Sequence, residues 1–144
     1  MFADFLKRLT DPAPTQLPDS DARLALTALL VRVARSDNDY STAERTRIQS
    51  IISARYGLDD DARDALLADA EVLESEAPDT VRFTRSIKEA VAYEDRLAVV
   101  EALWQVVLAD GERAQEEDAL LRLVANLLGI TDMESAKARK RIQR

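Results

Sequence analysis

Six carboxylates carry the chemistry this chain can do, in two groups of three. Asp37, Asp39 and Glu44 recur as Asp110, Glu112 and Glu117, each 73 residues further on, so acidic side chains occupy relative positions 1, 3 and 8 twice. Short-spaced carboxylates on a turn, followed by one on the first turn of a helix, supply the oxygen ligands that a hard cation takes. Position 2 is Asn38 in one copy and Gly111 in the other, the two residue types that most readily enter the left-handed conformation of a tight turn. The spacing is not that of an EF-hand, which wants Gly at its sixth position and Glu at its twelfth. Counted from Asp37 those places hold Thr42 and Ile48, and from Asp110 they hold Gln115 and Leu121.

A simpler reading stands beside this one. Ser41 to Glu44 fits the Ser-x-x-Glu capping box, in which Glu44 bonds the backbone amide of Ser41 and needs no ion. In the second copy Ala114 takes the place of Ser41 and has no side chain to cap with, although acidic residues at a helix start are favoured by the dipole in any case. Tyr40, just inside the first acidic turn, is placed to edge the site or a partner surface.

Composition narrows the options. With neither cysteine nor histidine, the chain lacks disulfides, thiolate nucleophiles, Ser-His-Asp triads and the usual zinc ligands. A bound metal is then calcium, magnesium or manganese, held by oxygen. No glycine loop for phosphates and no nucleophile motif accompanies the carboxylates, so the expectation is a protein that is not an enzyme. A net charge of −7 disfavours nucleic acid and anionic membrane surfaces and favours a cationic or basic partner.

The elements that must position these carboxylates are helical. The alphabet is Ala, Leu, Arg, Glu and Asp, with only 3 Gly and 4 Pro in 144 residues, enough chain for one domain. Residues 1–18 read as a short amphipathic helix (Phe2, Phe5, Leu6, Leu9) and a Pro-rich linker. The helix packs on the domain in one reading and touches a membrane surface in the other. Residues 19–144 read as the helical domain. Asp19, Ser20 or Asp21 caps an apolar helix through Ala34; Ser41 starts the next, stopped by Gly57; Asp59 to Asp61 opens another to Glu76. Pro78-Asp79 starts a helix with Val81, Phe83, Ile87 and Val91 inward and Thr84, Lys88 and Glu89 outward. A break near Tyr93 leads to the helix of Leu103 and Trp104, with the indole in the core, and another runs from about Ala114 to Leu128 before Gly129. Thr131 to Glu134 is a second capping box, opening a last helix whose basic end (Lys137, Arg139, Lys140, Arg141, Arg144) lies in solvent. The expected fold is all-α, a compact single-domain bundle of seven to eight helices with two related helix–acidic turn–helix units.

At these residues the chain resembles the TerB-like family, the tellurite-resistance protein B group and its relatives, which include the N-terminal domain of some membrane-anchored J-domain co-chaperones. The resemblance rests on the helix running into Ala109-Asp110-Gly111 with Glu117 following, on Ser36-Asp37-Asn38-Asp39 with Glu44, and on Gly57 and Gly129. It covers about residues 20–130, and the chain departs from the pattern at Asn38, where glycine is common. It implies an all-α fold with the acidic turns on a shared surface, metal ligands Asp37, Asp39, Glu44, Asp110, Glu112 and Glu117, and association with stress responses to tellurite or other chemical insults through complexes near the membrane. The resulting expectation is a cytoplasmic domain that binds a divalent cation, calcium first, and engages a protein partner, with peripheral membrane association only through that partner. The alternative is a metal-independent interaction module whose acidic surface docks a basic partner.

Overall fold

The computed structural model describes residues 19–36, 40–77, 80–108 and 115–142. Within them lie seven α-helices and no strand: α1 (Asp19–Ala34), α2 (Thr42–Tyr56), α3 (Asp60–Glu76), α4 (Thr80–Ala90), α5 (Tyr93–Val107), α6 (Gln115–Leu127) and α7 (Asp132–Ile142). The N-terminal helix and Pro-rich linker expected over 1–18 lie outside the described residues. Because α1 begins at Asp19, Ser20 and Asp21 fall inside its first turn instead of capping it.

Helix α1 forms because Leu and Ala dominate it and neither Gly nor Pro interrupts it. It has no polar face after its first turn, and a helix apolar all round is stable only when surrounded. From Ala25 to Val31, and again at Val33 and Ala34, it is buried; α2, α3, α4, α5 and α6 all pack against it. Thr27 is tolerated there because its hydroxyl donates to Arg23 O at 2.7 Å. Helix α5 repeats the design: Val99, Val100, Leu103, Trp104, Val106 and Val107 are buried against α1, α2, α6 and α7.

The stops and starts follow local rules. Gly57 ends α2 at φ 63°, and Gly129 follows α6 at φ 80°. In both, the amide two residues past the last turn returns to the helix: Leu58 N donates to Ser53 O at 3.1 Å and Ile130 N to Ala125 O at 2.9 Å. Asp59 caps α3 by accepting from Ala62 N at 2.8 Å, and Thr131 with Glu134 forms the capping box of α7. Arg96 Nη1 donates to Leu128 O at 2.6 Å, covering a carbonyl that the end of α6 leaves open.

The 73-residue offset of the acidic groups proves to be an offset of whole helices. Ala34 and Val107 end α1 and α5, and Thr42 and Gln115 begin α2 and α6, at that same separation. Thus α1–α2–α3 and α5–α6–α7 are two copies of one three-helix unit, joined by α4. The packing between copies is reciprocal: α1 meets α5, α1 meets α6, and α5 meets α2. Such paired contacts are what a two-fold relation between the copies generates.

Two side chains depart from expectation. Thr84 is 0% exposed, not outward. It lies three residues before Ile87 and seven before Val91, on the face that α4 buries. Arg139 does not extend into solvent with Lys137, Lys140 and Arg141; its guanidinium lies 5.4 Å from the centroid of the Trp104 ring. The indole is too large for Ser135 and Ala136 to cover, and the arginine completes the cover.

Candidate functional site

Glu44 sits in the first turn of α2 and is 1% exposed. Its Oε1 accepts from Ser41 N at 3.2 Å and from Ser41 Oγ at 3.0 Å, while its own amide donates to Ser41 Oγ at 3.0 Å. The capping box is therefore real. It accounts for one oxygen only: Oε2 is buried and has no hydrogen-bond partner among the described residues. A buried carboxylate oxygen without a donor is costly.

The basic side chains around the first acidic segment do not fill that role, because α3 takes them. Arg35 Nη1 is 2.7 Å from Glu74 Oε2, Arg32 Nε is 3.5 Å from Glu74 Oε1, and Arg32 Nη2 donates to Glu74 O at 3.0 Å. Arg45 Nε lies 3.3 Å from Glu71 Oε2. Glu71 and Glu74, one helical turn apart, anchor the end of α1 and the start of α2 to α3. The sequence reading missed them, since the only signal is that i,i+3 spacing beside the buried Ala70 and Leu73. Tyr40 lies in the same region, with Arg35 5.2 Å from its ring centroid. Burial first and the Glu71 carboxylate second push its hydroxyl well above the ordinary tyrosine range.

Helix direction brings the end of α5 towards the start of α2. Arg47 of α2 shares a cleft with Gln105 and Leu108 of α5; further along, Ile51 and Arg55 face Ala98, Glu101 and Ala102; Tyr56 reaches Asp95. Helices α2 and α5 therefore run antiparallel, and the chain leaves α5 after Leu108 beside the start of α2. Helices α1 and α6 also pack together.

Of the six expected ligands, the structure describes the side chain of Glu44 alone. Asp37, Asp39, Asp110 and Glu112 lie outside the described residues, with Asn38 and Gly111, and so does the side chain of Glu117. Its backbone occupies the place in the first turn of α6 that Glu44 holds in α2. Among the described residues no three acidic side chains come together as a metal group. As an oxygen donor, Oε2 of Glu44 is of the type that a hard cation takes.

The fold and this end of it define a class: all-α domains made of two copies of a helix–acidic segment–helix unit. The family model described as tellurite resistance protein TerB matches residues 23–140, most of the chain, and the chain belongs to that family. No curated protein and no solved structure shows significant similarity to it. No helix among the described residues is long and apolar enough to cross a membrane.

Proposed function

We propose that this domain binds a divalent cation, calcium before magnesium or manganese, at the end of the bundle where both acidic segments leave their helices. It uses the ion-ordered surface to engage a protein partner in the cytoplasm, as a non-enzymatic component of a stress response. The observation that carries the reading is the buried, unpartnered Oε2 of Glu44. Asp37, Asp39, Asp110, Glu112 and Glu117 supply the remaining ligands, and an ion held among them relieves the repulsion that so many adjacent carboxylates suffer.

The test is a thermal melt of chelator-treated protein titrated with calcium, magnesium and manganese, repeated with Asp110→Asn. Binding to the folded state alone raises the melting temperature as the ion passes its dissociation constant. A saturable, ion-selective rise that the substitution removes supports the site; no shift up to millimolar ion sinks it.

A second reading is a metal-independent docking surface for a basic partner, favoured by the completed capping box at Glu44 and the net charge of −7. Partner binding then weakens with salt and ignores chelators, whereas under the first reading Asp110→Asn weakens ion and partner binding together.

A further inference from the structure

Away from the acidic end, a cleft of about 290 Å³ is lined by Trp104 of α5, Arg122 of α6, and Asp132, Ser135, Ala136 and Arg139 of α7. Trp104 Nε1 donates to Ser135 Oγ at 3.0 Å, so the Ser135 proton points to another acceptor, and none of the described residues provides one. Arg139 covers the indole, and its Nε is buried without a hydrogen-bond partner. Neither Arg122 nor Arg139 is ion-paired among the described residues, as is also true of Arg23, Arg47, Arg55, Arg85 and Arg96. In a chain of net charge −7, this cleft holds two guanidinium groups against one carboxylate, Asp132. Asp132 is exposed and pairs with neither.

The internal repeat shows that the fold does not require this arrangement. Trp104 and Arg122 correspond, 73 residues earlier, to Val31 and Gln49. For α7 the matching caps Asp59 and Thr131 set the offset at 72 residues, which pairs Arg139 with Leu67. Val31 and Leu67 are fully buried. Where the first copy has Val31, Gln49 and Leu67, the second has a cleft lined by Trp104, Arg122 and Arg139.

Apart from the exposed Asp132 carboxylate, the free polar groups lining it are donors: two guanidinium groups and a hydroxyl. Such a set selects an acceptor-only ligand; two cations favour a dianion over a monoanion, and guanidinium forks match the oxygens of a phosphoryl group. At about 30 Å³ for a water molecule, the volume admits a phosphoryl group together with a substituent. We propose that the α5–α6–α7 cleft binds the phosphoryl group of inorganic phosphate or of a phosphate monoester through Arg122, Arg139 and Ser135.

Trp104 is the chain's one tryptophan, so its fluorescence reports on this cleft. The experiment titrates the full chain, in chelator and at constant ionic strength set with chloride, with inorganic phosphate, glycerol 2-phosphate and acetate. It is repeated with Arg122→Gln and Arg139→Leu, the side chains that the first copy carries at those places, and each variant's melting temperature is read in the same buffer. The expected result is a saturable change with phosphate, with the ester, or with both, weakened about tenfold or more in each variant. Saturation by phosphate alone assigns the free anion, and by the ester alone the esterified one. A drift no different from chloride, an equal response to acetate, or a response undiminished in Arg122→Gln overturns the proposal. Should Arg139→Leu fail to fold, Arg122→Gln, at an exposed position, decides alone. Because chelator is present throughout, failure here leaves the cation reading standing, and the converse holds.

Discussion

Replacing Glu44 by Gln separates its two oxygens. The amide oxygen still accepts from Ser41 N and Oγ, which keeps the capping box, while the NH2 group takes the place of the unpartnered Oε2. In chelator two effects oppose. The cap loses a charged acceptor, worth about 1 kcal/mol, and a buried carboxylate oxygen without a donor, which costs about 1–3 kcal/mol, is replaced by a neutral group. The balance lies within about 1 kcal/mol, a shift in melting temperature of no more than roughly 4 °C for a domain of this size. With ion at a hundredfold its dissociation constant the native chain gains about 2.7 kcal/mol, roughly 10 °C. The variant, lacking the charge and with its one carbonyl taken by the cap, shows less than half that rise. The assay is calorimetry of both proteins with and without ion. The reasoning fails if Glu44→Gln follows the native rise. It fails equally if the variant falls by more than about 3 kcal/mol in chelator alone, since Oε2 would then have a protein donor already.

Other consequences are open to direct measurement. At Gly57, with φ 63° and open space where a Cβ would stand, Ala costs about 1 kcal/mol through the backbone alone and Asn costs less; a neutral Gly57→Ala in denaturant melts would refute this. Thr84→Val removes a buried hydroxyl without a partner, so stability holds or rises by about 1 kcal/mol, and a comparable loss would show that the hydroxyl is bonded. All three tyrosines are pushed up, Tyr40 and Tyr56 chiefly by burial and Tyr93 chiefly by its hydrogen bond to Glu134. Their contribution to stability is therefore complete below the unfolded value of about 10 and is lost as pH rises through the folded values. A phenolate absorbance titration should show delayed ionisation accompanied by unfolding; normal ionisation near pH ~10 with the fold intact would contradict it.

What the sequence made legible was local or periodic. Ser41 with Glu44, and Thr131 with Glu134, announce helix starts within four residues, and Gly57 and Gly129 announce stops, so the described caps fall where these residues put them. The repeat was readable from six acidic positions because duplication preserves spacing, and it extended to whole helices. Contacts made at long range were not readable. Glu71 and Glu74 gather arginines from 26 to 42 residues away, and no pattern along α3 announces that. Thr84 and Arg139 were misplaced for a related reason: residue type suggests polarity, whereas the neighbouring helix decides exposure. The spacing singles out Glu44, but only three dimensions distinguish the oxygen that caps the helix from the one left over.

The reciprocal packing of the two three-helix units also bears on how such a chain can change. In an association of two identical subunits every substitution arrives twice, once on each side of the axis, so a residue that suits one site is imposed on its mirror. Joining the copies through α4 makes their association intramolecular and releases that constraint. One half can keep Val31 and Leu67 as plain interior while the other turns the same places into Trp104 and Arg139. Covalent linkage here permits divergence: a single polypeptide can hold a conservative half that secures the interior and a specialised half that acquires a new surface.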